Sequence, residues 1–462
     1  MLLRLQVWNF KNLRDVTVRF GPMSCFVGPN GVGKSNLFDA IQFLRALADK
    51  DIQTAAQEVR SPLSGRFGPR DLLWAGGANG DRMAFSADML VPHQVADDFG
   101  RPAGPATTLL RYELELQYVA QPTPRLELTR ESLVGLKKGD AATHIGFPHS
   151  MAFRQSAVTP TRRLGAFIST EKDRDGAVAV KLHQDGGSRG QPIPAGRSPR
   201  TVVGGTNANE YPTVLAARRE MASWRALHLE PSMMRAPDPI GGVSDVDERG
   251  GHIAAALDRM QRTEKRPGQI LAEAANQLGA LVPEIRSLDI DRDEARQQLS
   301  VLARMDGCAQ PLGPRSLSDG TLRFLALVTM LLDDSASGVL CMEEPENGIH
   351  PKSIPAMVDL LRAYAVEASE AIGEENPARQ VILNTHSPEV VKQLLPSEVL
   401  FVDTVDGPEG RMAIVSPVEG GWRDERPFAK RRRVTDFVEG ALPGPEMEQL
   451  KLFETSARAC RR

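Results

Sequence analysis

From Leu2 to Phe20 apolar and polar positions alternate, with Leu3, Leu5 and Val7 on one face and Val16, Val18 and Phe20 on one face of a second run. A period of two predicts strands, and the turn residues Asn9, Lys11 and Asn12 between the runs predict a hairpin. Met23 to Val27 is short and apolar enough for a buried strand. From Asn36 to Leu47 the period changes, with Leu37, Ile41 and Leu44 at helical spacing. Asp49 to Gly80 is polar and glycine-rich, with Phe67-Gly68-Pro69-Arg70 and Trp74-Ala75-Gly76-Gly77, and reads as irregular, a loop over a ligand. Strand patterns return at Arg82 to Leu90, Thr108 to Tyr118 and Arg125 to Val134. The alternation Leu110, Tyr112, Leu114, Leu116 is the clearest of them, and together they predict an antiparallel sheet.

Residues from about 139 to 209 are turn-rich: Asp173-Arg174-Asp175-Gly176, Gly186 to Gly190 and Pro192 to Pro199, with one strand-like run at Ala177 to Leu182. This composition predicts an insertion that is a flexible linker or, at most, carries hairpins. Helices follow at Tyr211 to Leu227, Gly251 to Arg262 and Pro267 to Leu281, then two strand-like runs at Glu284 to Ile290 and Gln297 to Met305. The last third alternates helix and strand: helix Leu322 to Leu332, strand Gly338 to Met342, helix Lys352 to Ala371, strand Gln380 to Leu383, helix Pro388 to Leu395, then strands Glu398 to Asp403 and Met412 to Val415. That order argues for a largely parallel core sheet with helices on both faces.

Composition narrows the class. The chain has 462 residues, 41% hydrophobic and 25% charged, which is ordinary for a globular protein of about two or three domains. A net charge of -3 excludes a polycation, so any grip on nucleic acid must be a local patch or a partner's. Of the four cysteines, Cys25 and Cys341 sit in apolar strand runs and read as small buried hydrophobes; Cys308 and Cys460 complete a set with no CxxC pair, which argues against a disulfide framework or zinc site. Met1-Leu2-Leu3-Arg4 breaks into charge too early for a signal peptide, and no run is long enough to cross a bilayer, so a cytoplasmic location is expected.

Between the strand at Met23 to Val27 and the helix at Asn36 to Leu47 lies Gly28-Pro29-Asn30-Gly31-Val32-Gly33-Lys34-Ser35, which fits the P-loop pattern in the strand-loop-helix context it requires. Glycines let successive N–H groups point at phosphate oxygens, and the helix N-terminus adds partial positive charge. Lys34 can reach the β- and γ-phosphates and Ser35 can hold Mg²⁺.

Three later stretches narrow the chemistry. Val339 to Pro345 is an apolar strand ending in two carboxylates, Glu343 and Glu344. Successive strand residues point opposite ways, so Glu343 can sit near Mg²⁺ while Glu344 orients or deprotonates the attacking water; a plain acidic strand end is the other reading. Leu383 to Pro388 places His386 after a second buried strand, where it would hang over a γ-phosphate or serve a structural role. Ser316 to Thr321 precedes an apolar helix, so Ser318 and Asp319 are either helix caps or, with Gly320, an anion site at the helix start.

Taken in order, Gly28–Ser35, Ser316–Thr321, Leu340–Pro345, Asn347–Pro351 and His386 resemble the ABC-type ATPase head, and more narrowly the RecF, SMC and OLD-like group of AAA-annotated ATPases of bacterial DNA repair and phage defence. Phe10-Lys11-Asn12-Leu13 resembles that group's opening, Ser318-Asp319-Gly320 its signature, Glu343 to Pro351 its Walker B and D-loop, and Thr385-His386-Ser387 its switch histidine. The resemblance covers the two ends of the chain and little of residues 139–250. It implies an α/β P-loop NTPase fold of the ABC head type, with a mixed or parallel core sheet, an antiparallel β subdomain and a helical subdomain. The expected partition is an N-terminal ATPase lobe at 1–138, a loop-rich insertion at 139–210, a helical and β subdomain at 211–306, a C-terminal ATPase lobe at 307–416 and a tail at 417–462.

It also implies chemistry. ATP and Mg²⁺ would be held by Gly28, Pro29, Asn30, Gly31, Gly33, Lys34, Ser35 and Asn36, with Ser35 and Glu343 as metal ligands. Lys34, Glu344 and His386 would be catalytic, and Ser318 and Gly320 of a second head would cap the γ-phosphate across a face-to-face dimer. Binding would close the dimer and hydrolysis would open it. Glu343 stands where most ABC heads carry aspartate, and Gln117 is the one weak candidate for a Q-loop glutamine. The stretch after Val415 is short for a nuclease domain, so a stand-alone head is expected. The implied function is a switch on double-stranded DNA, dimeric or larger and not a membrane protein, that controls a separate nuclease or toxin; the alternative is a non-catalytic ATP-bound scaffold that sequesters an effector. Lys430-Arg431-Arg432-Arg433 would grip phosphates or form a solvated patch, and Leu442 to Phe453 a docking peptide or a disordered end.

Overall fold

A computed structural model describes residues 1–59, 68–74, 81–159, 165–172, 178–185, 191–207, 209–262, 268–333, 337–408, 410–423, 428–429 and 431–438. The expectations for Ala75 to Gly77, Asp173 to Gly176, Gly186 to Gly190, Lys430, Leu442 to Phe453 and Cys460 lie outside these residues. The chain divides into two compact units: residues 1–224, 368–371 and from 395 onward form the first, and residues 225–367 and 372–394 the second.

Among the described residues, the first unit carries an antiparallel sheet of eight strands in the order Gln191–Pro194, Val178–Leu182, Ala166–Lys172, Arg125–Gly135, Leu109–Val119, Arg82–Leu90, Leu2–Phe10, Leu13–Arg19. The Leu2–Phe10 and Leu13–Arg19 hairpin forms as its alternation predicts, with Val7 opposite Val16 and Leu5 opposite Val18. The P-loop strand Met23–Val27 pairs in parallel with Val399–Gly407, which pairs antiparallel with Gly410–Pro417, making this sheet mixed. The helix Lys34–Asp49 buries Leu37, Phe38, Ile41, Phe43 and Leu44. Phe43 packs on Phe10 and Phe85 of the eight-stranded sheet, and Phe38 sits edge-on to Phe26 of the P-loop strand. This aromatic wedge fixes where the helix starts, and so where the P-loop ends.

The second unit has a parallel ladder of Arg225–Leu227, Gly338–Glu343 and Arg379–Thr385. It also has an antiparallel sheet of Asp238–Pro239, Gln298–Met305 and Ile285–Asp293, and the helices Ile253–Arg262, Ile270–Leu281, Asp319–Leu332 and Ile354–Tyr364. Parallel pairing with apolar strands, as at Leu340–Val381 and Cys341–Ile382, matches the α/β pattern of the sequence. Cys25 and Cys341 are buried, as expected.

Several expectations need correction. Of the two forms expected within residues 139–209, the described residues take the hairpin one and not the flexible linker: the strands Ala166–Lys172, Val178–Leu182 and Gln191–Pro194 pair antiparallel and extend the large sheet, anchored by buried Phe167, Ile168 and Val180. Within the stretch expected to be irregular, Ile52–Glu58 is a helix capped by Asp51, whose carboxylate accepts the Thr54 N–H, and it buries Ile52, Ala55 and Ala56. The helix read over Tyr211 to Leu227 stops at Ala222, and Arg225–Leu227 is a strand because it pairs with Leu340 to Met342. The helix read over Lys352 to Ala371 ends at Tyr364, where Val366 N–H turns to the Arg379 carbonyl and the Arg379 guanidinium covers the Tyr364 ring. Helix from Pro388 runs only to Val391.

Candidate ATP site

In the first unit the P-loop is shaped by its own chain. Gly33 takes φ 108°, a left-handed backbone that an L-residue resists, and a Cβ there would fall 2.5 Å from the Asn12 side chain. Asn12 fills that space. Its Nδ2 donates to the Val32 carbonyl at 3.1 Å and its Oδ1 accepts from Asn36 Nδ2 at 2.7 Å, so the hairpin turn buttresses the loop from beneath. Lys11 next to it places Nζ 2.7 Å from Asp39 Oδ2 in the P-loop helix, both side chains buried. Lys34 is buried and folds back over the loop, its Nζ donating to the carbonyls of Gly28 and Pro29 at 2.7 Å each. Asn30 and Gly31 at the tip are exposed, and Gly31 also has positive φ.

The helix that follows begins without a side-chain cap: Gly33 is the N-cap residue and no acid stands in the first turn. Its first N–H groups thus lack protein anions, the condition for receiving a phosphate. Ser35 makes no side-chain hydrogen bond among the described residues. A free hydroxyl just after the lysine fits Mg²⁺, a hard cation that takes oxygen ligands.

In the second unit the two strand ends meet. Glu343 closes its strand opposite Asn384, and Glu344 N–H bonds the Asn384 carbonyl at 2.7 Å. Strand alternation does not separate the two acids as expected, because Glu344 lies past the strand with φ 47°. This left-handed turn swings its carboxylate to His386, with Oε1 2.9 Å from His386 Nδ1, while Asn347 Nδ2 donates to Oε2 at 2.8 Å. Both members are part-exposed, 41% for His386 and 37% for Glu344, so the pair faces outward where a substrate can reach it.

The signature stretch behaves as a helix cap. Ser318 Oγ accepts the Thr321 N–H at 3.1 Å and shares a hydrogen bond with Thr321 Oγ1 at 2.8 Å. Asp319 pairs with Arg235 at 2.6 Å, and Arg235 also donates to the Leu317 carbonyl. Gly320 is buried against the turn after Glu344: a Cβ would come within 2.9 Å of the Gly348 carbonyl. The Ser318–Thr321 stretch and the turn after Glu344 are therefore in contact within the second unit.

The motifs contain Asn12, Asn347, Glu346 and Thr385 but gave them no role of their own, and the structure ties all four to the expected site residues. Asn12 had a signal, its place in a hairpin turn just ahead of a glycine-rich loop. Glu346 had a fainter one, a third acid directly after a proline that follows two. Gln117 lies within its sheet strand, opposite Arg82 and Glu127.

Comparison with known proteins finds likeness to ATPase families over separate segments of the chain. A family model described as "AAA domain, putative AbiEii toxin, Type IV TA system" matches residues 217–392, and one described as "AAA ATPase domain" matches residues 1–67. DNA replication and repair protein RecF of Phocaeicola vulgatus is 47% identical over 61 residues, 13% of this chain and 16% of that protein. The OLD nuclease of Thermus scotoductus is 48% identical over 44 residues, 10% of this chain and 8% of that protein. These matches span less than a fifth of the curated relatives' length. A crystal structure of an SMC head bound to the C-winged helix domain of ScpA aligns with TM-score 0.49 at 14% identity, over 90% of this chain and 98% of that chain. Over these short segments the chain is similar to AAA-family ATPases, and among curated proteins to RecF and to an OLD nuclease.

Proposed function

We propose that this chain binds ATP with Mg²⁺ and hydrolyses it as a switch that controls a separate effector in DNA repair or antiphage defence. The observation that carries the reading is the uncapped P-loop, with buried Lys34 and the Asn12 buttress. Its glycines, Asn30 and Asn36 cradle the phosphates, and Lys34 exchanges its loop carbonyls for phosphate oxygens as ATP enters. Ser35 and Glu343 would be the residues to hold Mg²⁺, which would supply charge neutralisation to the bound nucleotide. Glu344 orients and polarises water, and His386, hydrogen-bonded to it, responds to the γ-phosphate. Ser318 and Gly320 of a second copy complete the site, so ATP favours the closed dimer and hydrolysis releases it. Partners are this second copy, double-stranded DNA and a nuclease or toxin, in the cytoplasm. Among the described residues no helix is long and apolar enough to cross a membrane.

The test is ATP turnover by the purified chain, with and without double-stranded DNA, beside Lys34→Ala and Glu344→Gln. DNA-stimulated turnover lost in both variants supports the switch. Turnover in the wild type no higher than in Lys34→Ala defeats it and favours the ATP-bound scaffold.

A further inference from the structure

Beneath the Glu344–His386 pair lies a second, buried contact between the same two segments. Thr385, fully buried at the end of its strand, has Oγ 2.5 Å from Oε1 of Glu346, which is only 8% exposed. The Ser387 N–H donates to that same hydroxyl at 2.9 Å. The hydroxyl oxygen is thus an acceptor toward Ser387, and its proton is committed to Glu346. The backbone on either side of His386 is pinned by one oxygen, and that oxygen is pinned by a carboxyl of the opposite segment.

That opposite segment is itself tightly knit. Asn347 N–H bonds the Glu344 carbonyl, Ile349 N–H bonds the Glu346 carbonyl, and Asn347 Nδ2 holds the Glu344 carboxylate. Glu344 and Glu346 therefore belong to one hydrogen-bonded turn, one presenting its carboxylate to His386 and the other gripping Thr385 from inside. The inner contact has a cost. Glu346 Oε2 is buried with no hydrogen-bond partner, and burial raises its carboxyl above the usual range. An apolar side chain would avoid that cost but would give Thr385 nothing to hold.

We propose that Glu346 and Thr385 form a buried clasp that positions His386 against Glu344 for ATP hydrolysis. The inference rests on the ATPase reading above and assigns both as positioning residues. A displaced general base loses rate without losing ground-state binding. In the full-length chain, Thr385→Val is expected to lower kcat about tenfold to hundredfold while KM for ATP stays within about twofold. Thr385→Ser, which restores the hydroxyl, is expected to return kcat to within about threefold of wild type. A merely structural contact would lower thermal stability in the valine variant and leave kcat in place. Glu346→Ala and Glu346→Gln form an independent pair. The alanine variant is expected to lose kcat as the valine variant does, and the glutamine variant, whose amide oxygen still accepts from Thr385, to retain most of it. Wild-type kcat in Thr385→Val, or a serine variant as slow as the valine one, overturns the clasp. A wild type that turns over no faster than Lys34→Ala instead overturns the ATPase reading, and the clasp falls with it.

Discussion

Two helices in this chain begin where an anion is expected, and they begin differently. The P-loop helix starts at Gly33 with no side-chain cap and no acid in its first turn. The signature helix starts at Ser318, whose hydroxyl already satisfies the Thr321 N–H, and carries Asp319 in its first turn. An uncapped N-terminus leaves about four N–H groups for a ligand, whereas a capped one has spent part of that capacity on itself. The P-loop is therefore ready for phosphate as it stands, and the signature is stable without any. This difference suits the proposed roles: one end must capture nucleotide in a single head, and the other must wait for a second head.

The largest expected effect falls on the ready end. Lys34→Ala removes the buried ammonium that now bridges the carbonyls of Gly28 and Pro29, and is expected to cut turnover roughly a thousandfold, as loss of a charge-stabilising donor does. A steady-state ATPase assay checks it, and turnover within tenfold of wild type would mean that the open helix start binds phosphate unaided. Next comes the support beneath. Asp39→Asn neutralises the carboxylate 2.7 Å from the buried Lys11 ammonium, expected to cost about 2 kcal/mol in stability by denaturant melting, since a buried charge loses its charged partner. A loss below about 0.5 kcal/mol would place this pair in the class of surface ion pairs and remove it as the reason the loop is preformed.

How much of this was legible in the sequence follows from distance along the chain. The P-loop is encoded between Gly28 and Ser35, and its glycines, lysine and flanking apolar runs are all local, so spacing alone located it. Strands Leu2–Phe10 and Arg82–Leu90 were legible because one face is buried and alternation survives. Of the three strands that extend this sheet, Val178–Leu182 was legible as a strand-like run, but Ala166–Lys172 and Gln191–Pro194 were not, because turn residues dominate their surroundings and they exist by pairing to neighbouring strands, as Ile168 does to Leu133. Arg225–Leu227 is a shorter instance of the same kind, hidden at the end of a helical pattern. At Glu343 and Glu344 the acids were found but not their directions. The left-handed backbone at Glu344 carries no composition signal, since glutamate rarely adopts it, and with the Asn347 hydrogen bond it turns that carboxylate toward His386.

A third helix start shows what an anion built in by the protein costs. The short helix Val202–Gly205 receives the buried Glu131 carboxylate on the N–H groups of Val202 and Val203, at 2.6 and 2.8 Å. Burial outweighs these bonds and lifts the Glu131 carboxyl from 4.5 to about 7. With the folded value above the unfolded one, the native state holds a proton that the unfolded chain has lost. Stability is therefore full below about pH 4.5 and falls as pH rises through about 7, at about 1 kcal/mol per pH unit between them. Thermal melts across that window should show the decline, and Glu131→Gln should flatten it. An unchanged slope in the variant would mean that the two N–H bonds hold Glu131 ionised, as a bound phosphate would be held.

The smallest effect tests the closed end and separates the two readings of Ser318. As a cap, Ser318→Ala should cost about 1 kcal/mol of stability, detectable as a lowered melting temperature. As a donor to ATP on a second head, it should also slow turnover, while single-head nucleotide affinity, set at the P-loop, stays unchanged. Ser318→Thr keeps an oxygen for Thr321 N–H and keeps a hydroxyl for phosphate, so it should recover both. Ser318→Asp keeps only the cap: its carboxylate satisfies the helix start and repels phosphate. If Ser318→Asp melts like wild type yet turns over as slowly as Ser318→Ala, the hydroxyl serves catalysis beyond the helix. If Ser318→Asp restores turnover together with stability, the signature helix needs only its cap, and the contrast between the two helix starts is one of folding alone.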